Sequence, residues 1–477
     1  MVTSNRFENS YRLLTRPLAA VRRIITVLRL PGVRTNIGNA LFGVGDYVTQ
    51  PLVMLLAAPY LLHHLGLSGY GLWMLATATI SSSTVISSGF GDAAVKYAAM
   101  HRRERQKLED ILRVSLLTNV ILGSLLALAI WLAAPIVVSR VFSMDPSLRA
   151  SALTAFRIAS VILVFRTVEQ VFIGAQRAHE RYGPSVRINF ASRAAIALGA
   201  CLAVSRGYAV VGIMIVTLCV VIASTIGQAI ATRLVIGPIR VLSSLDSIAA
   251  SQVFSFGCYS WLQAVGGCIF TQADRLLIGA LAGTTAVAYY SVCVQAAQPI
   301  HGLIASGLHF LFPHLSHRAS RSSPPDLKRV VVPVLSLNAI LALCFCAPIV
   351  LFGKPLLRAW MGPAVALQAG TVLSIVAVSF GLLGLNITGH YALLAPGQVR
   401  LVSILNLAGG TAMLAVMMLL VPRYGLVGAA IGRLIYGPIT LLMYWRLRLL
   451  ILSRDTRPQS SVPRPVSFLE PEPQLRD

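Results

Sequence analysis

Along most of this chain, polar and apolar positions follow neither a helical nor a strand period. Apolar runs near 20 residues succeed one another, separated by short polar connections. Such a run is the length an α-helix needs to cross the ~30 Å hydrocarbon core of a bilayer. About twelve can be read: 37–61, 70–95, 112–138, 151–177, 188–205, 208–232, 253–281, 286–313, 330–352, 366–393, 401–421 and 425–449. Backbone polar groups find no water partner in lipid, so spans of this length must be helical. The pattern predicts an all-α polytopic membrane protein with about 12 transmembrane helices. Residues 1–35 carry Arg6, Arg12, Arg16, Arg22, Arg23, Arg29 and Arg34 among short apolar patches, which predicts a basic amphipathic segment on the inner leaflet. They lack the long apolar run and small-residue cleavage site of a signal peptide. The polar, Pro-rich stretch 451–477 is predicted to be a disordered cytoplasmic tail.

Composition supports the membrane reading. Hydrophobic residues make up 56% of the 477 and charged residues 12%, against roughly 45–50% and about 25% in a soluble domain. The seven cysteines (Cys201, Cys219, Cys258, Cys268, Cys293, Cys344, Cys346) all fall inside apolar segments, and predict small packing residues with no disulfide framework or metal site. The net charge of +24 would suit nucleic acid, but its distribution argues for a lipid surface. Outside the spans, Lys and Arg crowd alternate connections, leaving only Arg140, Arg149, Arg206, Lys354, Arg358 and Arg423 on the others. This bias predicts both termini in the cytoplasm.

The two halves resemble each other. Ser205–Ile215 (SRGYAVVGIMI) lies over Val421–Ile431 (VPRYGLVGAAI), setting Tyr208 on Tyr424 and Gly212 on Gly428. At nearly the same offset, LGLSGYGL from Leu65 lies over LAGTTAVAYY from Leu281, with Gly66 on Gly283. The basic stretches HRRERQK (from His101) and SHRASR (from Ser316) also correspond. With six spans each, the halves insert the same way up, which predicts a parallel repeat of two six-helix bundles. The expected organisation is a bundle at 36–232, a cytoplasmic linker at 233–252 and a second bundle at 253–450. Such a duplication predicts a transporter whose halves rock about a central cavity lined by the early helices of each. The expected outer loops are short, which argues against a glycan polymerase or ligase acting outside the membrane.

Ionisable groups in hydrocarbon are costly, so they face a cavity or a partner. Asn39, Gly43, Asp46 and Gln50 share a face of the first helix, either a cleft lining or a packing seam. The fourth helix carries Arg166, Glu169, Gln170 and Gln176, and Arg193 lies one turn inside the fifth. Arg166 and Glu169 can pair at i, i+3, and guanidinium forks also suit phosphate oxygens. Arg157 falls on the opposite face from Arg166. The seventh helix offers Gln263, Gly267, Thr271 and Arg275, with Asp274 near its outer end in an expected capping or interfacial role. The eighth offers Gln295, Gln298 and His301, a face suited to sugar hydroxyls, and later His309. Asp92 and Lys96 predict a local i, i+4 pair, and Arg433 has no partner visible in the sequence.

The chain resembles the Wzx-like O-antigen and exopolysaccharide flippases of the multidrug/oligosaccharidyl-lipid/polysaccharide exporter superfamily. The resemblance rests on LGLSGYGLWML (from Leu65), SSGFGDAAVKYAA (from Ser87) and ADRLLIGALAGTTAVAYYSV (from Ala273). It continues through FPHLS (from Phe312), NITGHYALLAPGQVR (from Asn386) and PRYGLVGAAIGRLIY (from Pro422). It implies alternating access in a bacterial cytoplasmic (inner) membrane and an undecaprenyl-pyrophosphate-linked oligosaccharide as cargo, with no enzyme activity and no cofactor beyond a coupling proton or sodium ion. Arg166 and Arg193 are then the expected pyrophosphate ligands, Gln263, Gln295, Gln298 and His301 the sugar contacts, and Asp46 or Glu169 the coupling carboxylate. Expected partners are membrane lipids and the polymerase and chain-length regulator of the same pathway. A multidrug antiporter on the same fold would favour carboxylates, whereas five basic residues (Arg157, Arg166, Arg193, Arg275, Arg433) and four acidic ones (Asp46, Asp92, Glu169, Asp274) fall inside the spans. A scaffold that recruits assembly machinery without transporting is the remaining alternative.

Overall fold

The computed structural model describes residues 31–101, 104–237, 254, 257, 272–308, 324–394 and 398–455; the N-terminal segment, most of the linker and the tail lie outside them. Every regular element among the described residues is helical, and nine helical stretches are long and apolar enough to cross a membrane. The polytopic all-α expectation is borne out.

Three of the longest helical runs are pairs of helices joined without a loop. Pro31–Met100 breaks at Gly66 (φ 67°, ψ 173°) into α1 (31–65) and α2 (67–100). Ala273–Leu308 breaks at Gly283 (φ 82°, ψ 177°) into α7 (273–282) and α8 (284–308). Val399–Leu441 breaks at Gly425 (φ 54°, ψ −130°) into α11 (399–424) and α12 (426–441). Between them lie α3 (Arg105–Ile136), α4 (Arg149–Ala178), α5 (Tyr182–Ser205), α6 (Val210–Ile236), α9 (Pro324–Met361) and α10 (Pro363–Leu394), and α13 (Met443–Asp455) closes the described chain. Positive φ with ψ near 180° is a backbone region essentially reserved for glycine. Gly66 and Gly283, paired by the sequence repeat, adopt it alike.

The helices divide by environment. α3 shows Ile121, Leu125, Leu128 and Leu132 along one exposed stripe, and α9 shows Leu337, Ile340, Leu343 and Leu351. No water-soluble protein leaves such stripes bare; they are the lipid-facing flanks. α2, α8 and α10 are central, and the largest fully buried side chains include Tyr70, Leu72, Leu75, Tyr290 and Ile278.

α2 and α8 form the seam between the halves, and it closes tightly at the end that holds the Gly66 and Gly283 breaks. Gly71 has no room for a side chain, since a Cβ there would stand 1.8 Å from the Thr284 carbonyl oxygen. The Ser68 and Thr285 hydroxyls meet at 3.1 Å. Tyr70 donates to Gln295 Oε1 at 3.1 Å, and Gln295 Nε2 reaches Met74 Sδ at 3.3 Å. From the connection after α3, Ser143 donates its N–H to the Gly279 carbonyl and its hydroxyl to that of Ala280. Trp360, at the end of α9, donates to the Leu55 carbonyl at 2.9 Å.

Replacing either break glycine tests these constraints. Gly66→Ala meets open space and should cost about 1–3 kcal/mol of backbone strain alone. At Gly283 the same change adds a Cβ 2.5 Å from the Ser143 carbonyl oxygen, so it should destabilise more. Thermal unfolding of detergent-solubilised protein checks the order; equal losses would mean the seam does not hold this turn.

Candidate functional site

A cavity of about 320 Å³ opens within the first half, between α1, α2, α4, α5 and α6. Trp73, Thr77, Ser81 and Thr84 of α2 form one wall, and Asn189, Ser192 and Arg193 of α5 face them with Met214 and Thr217 of α6. Arg166, Glu169 and Gln170 of α4 complete the lining. Arg166 Nη1 donates to Glu169 Oε2 at 2.6 Å; the arginine side chain is a quarter exposed, while the glutamate is wholly buried. Ser224 of α6 donates to the other oxygen, Glu169 Oε1. Sequence left two readings of this pair open, cavity lining and structural pairing, and both hold. Among the described lining residues the formal charges are two guanidiniums and one carboxylate.

Beside the cavity, a polar ladder binds α4 to α6. Gln176 Nε2 donates to Gln228 Oε1 at 2.9 Å and to Thr232 Oγ1 at 3.1 Å, and Gln228 Nε2 passes on to Asn189 Oδ1 at 3.2 Å. Thr232 donates to the Phe172 carbonyl and Thr225 to that of Phe165. Gln176, two turns beyond Glu169 on nearly the same face of α4, is a fully buried bridge. Its partners on α6 could not be read from α4's pattern.

The second half treats charge differently. Arg433 of α12 donates through Nη1 to Asp274 Oδ2 of α7, and Tyr290 of α8 donates to the same oxygen at 2.8 Å. The Arg433 guanidinium also lies 4.6 Å from the ring centroid of Phe380 on α10. All of Asp274, Tyr290 and Arg433 are at most 3% exposed. This corrects two expectations: Asp274 is a buried ion-pair partner that also accepts the Arg275 N–H, and Arg433 has the partner that sequence did not show. The pair spans 159 residues, so no spacing rule reveals it. The available signal was chemical: two lone charges of opposite sign, each needing a counter-ion.

The predicted site residues do not all come together. Arg166, Arg193 and Glu169 share the cavity. Gln295 is buried in the seam between halves, and neither it nor the half-buried Gln298 and His301 lines this cavity. All the residues that line this cavity belong to the first half. Gln263, and the side chain of Asp46 on α1, lie outside the described residues, as does the side chain of Asp92. Arg157 points away from Arg166, as its spacing predicted, and lies 5.1 Å from the ring centroid of Trp131 on α3.

Residues 39–318 match the family described as polysaccharide biosynthesis protein. A Shigella flexneri protein provisionally named an O-antigen transporter is 20% identical over 417 residues, covering 83% of this chain and 93% of its own. Among solved structures, an inward-facing multidrug resistance MATE family transporter of the MOP superfamily superposes with a TM-score of 0.73 at 15% identity, covering 88% of this chain and 100% of its own. A lipid II flippase, MurJ, in an inward closed conformation gives 0.71 at 13% identity, covering 86% and 87%. At these identities the likeness is one of fold.

The sealed pair predicts an asymmetric mutational response. Arg433→Gln or Asp274→Asn strands a buried partner and should cost about 3–5 kcal/mol. Replacing both, Asp274→Leu with Arg433→Met, should recover most of that loss. Unfolding midpoints in detergent read the effect, and a double variant as unstable as the sum of the singles would refute the pairing.

Proposed function

This chain belongs to the polysaccharide biosynthesis protein family, and we propose that it is a flippase for an undecaprenyl-pyrophosphate-linked oligosaccharide. The observation that carries this reading is the pair of guanidiniums: Arg166 and Arg193 in one cavity, with Gln170, Asn189 and Ser192 supplying amide and hydroxyl groups beside them. A guanidinium fork binds phosphate oxygens with two parallel N–H donors. Amides and hydroxyls can exchange hydrogen bonds with sugar. The likeness in fold to a lipid II flippase, and the relative named for O-antigen transport, support the same reading.

In the proposed mechanism nothing covalent happens. With both termini in the cytoplasm, the end sealed by Ser68, Thr285 and Gln295 is the outer one, and this conformation faces inward. Cargo enters from the cytoplasmic leaflet, its diphosphate on α4 and α5. The halves then part along α2 and α8 at the outer end and close at the inner one. A proton or sodium gradient drives the cycle, with Asp46 as the coupling carboxylate. Gln295, Gln298 and His301 would meet the sugar only after the seam opens. The polymerase and chain-length regulator of the pathway would act on the product. A multidrug antiporter on this fold is the second reading, but two guanidiniums in the cavity repel organic cations.

Deleting the gene in its host should abolish one surface polysaccharide and accumulate its lipid-linked repeat unit on the cytoplasmic side. Plasmid-borne Arg166→Ala or Arg193→Ala should restore export about 10- to 100-fold less well than wild type, the scale of a lost charge-assisted hydrogen bond. Intact glycans with new sensitivity to cationic drugs would favour the antiporter.

Alternating access has its own test. In a background without the seven native cysteines, Ser68→Cys with Thr285→Cys should cross-link across the seam, and oxidation should stop export until a reductant is added. Undiminished export by the cross-linked protein would exclude opening at this end.

A further inference from the structure

Glu169 is completely buried yet stands in the cavity wall, with both oxygens taken. Arg166 Nη1 holds Oε2 at 2.6 Å and the Ser224 hydroxyl holds Oε1. The part of this arrangement that joins α4 to α6 does not require a charge. One repeat later, Asn386 Nδ2 donates to Thr440 Oγ1 and joins α10 to α12 in the same way. Asn386 answers to Glu169 at the offset that separates Gly66 from Gly283, and Thr440 answers to Ser224 at the offset between Tyr208 and Tyr424. At the positions answering to Arg166 and Arg193, the second half has Leu383 and the glycines 409–410. A neutral amide thus makes the bridge in the half without these cations, and a carboxylate makes it where a guanidinium faces the cavity.

A transporter must release what it binds, and a site that is too favourable traps its cargo. We infer that Glu169 is the affinity-determining residue of the cavity: it occupies one edge of Arg166 and offsets that guanidinium's charge, so that a pyrophosphate-type anion binds weakly enough to leave. The inference rests on the flippase reading above. Ser192 fits the same picture. It is 6% exposed, its Oγ has no hydrogen-bond partner, and it lines the cavity beside Arg193, available to an incoming phosphate oxygen.

The test uses the full chain purified in detergent, with farnesyl pyrophosphate as the anionic probe and farnesol as its uncharged control. Glu169→Gln keeps size and hydrogen-bonding capacity while removing the charge. It should bind farnesyl pyrophosphate about tenfold tighter than wild type (~1.4 kcal/mol), leave farnesol binding unchanged, and slow the flipping of a fluorescent polyprenyl pyrophosphate in proteoliposomes. Ser224→Ala, which loosens the bridge and keeps the charge, should leave farnesyl pyrophosphate affinity as it is. If Glu169→Gln binds the probe no tighter while Arg166→Ala loses it, the cargo reading stands and Glu169 is only a helix bridge. If Ser224→Ala tightens binding as much as Glu169→Gln, packing and not charge sets the affinity, and the inference falls. If wild type does not bind farnesyl pyrophosphate, the cargo reading falls first and takes this inference with it.

Discussion

In hydrocarbon an unpaired backbone N–H or C=O costs several kcal/mol, because no water is present to replace the missing partner. The architecture follows from that constraint. Among the described residues it keeps the spans helical and confines departures from helix to short turns at their ends. At Gly66 and Gly283 the reversal is made by a single residue, so consecutive helices pack against each other with almost no loop between them. Short turns also bring α2 close to α8, where Gly71 lies against the backbone of Thr284. The seam between the halves is therefore a backbone contact as much as a side-chain one. A backbone contact of that kind opens as a unit, which suits rigid-body rocking better than local flexing.

The same low-dielectric surroundings sort the charges. In the second half, Asp274 and Arg433 neutralise each other behind Tyr290 and Phe380 and are sealed from both lipid and water. In the first half, Arg166 and Arg193 stand at a cavity, and Glu169 answers Arg166. The repeat that duplicated the scaffold did not duplicate its electrostatics. Among the described residues, one half sets its charges at a cavity, and the other buries an ion pair that joins α7 to α12.

Much of this was legible in the chain. Runs of 20 apolar residues determine helices, and the bias of Lys and Arg predicts their orientation. The repeat sets Gly66 on Gly283, and the structure gives both the same glycine-favoured turn. Arg166, Glu169 and Arg193 were also found from sequence, because charge is rare in hydrocarbon and each instance asks for a reason. Helical spacing failed at Gln176 and Gln295. Periodicity says which residues share a face but not which helix that face meets, and both glutamines face neighbouring helices: Gln176 meets Gln228 and Thr232, and Gln295 meets Tyr70.

Sequence by itself thus determined the membrane class, the helices, the duplication and the short list of buried charges, all of which depend on local hydrophobicity and residue type. Only the tertiary structure decided which charges pair with each other and which face a cavity. Asp274 and Arg433, 159 residues apart, meet because α7 and α12 pack side by side. The energy of an ion depends on what surrounds it within a few ångströms, and in a helical bundle those neighbours come from distant parts of the chain.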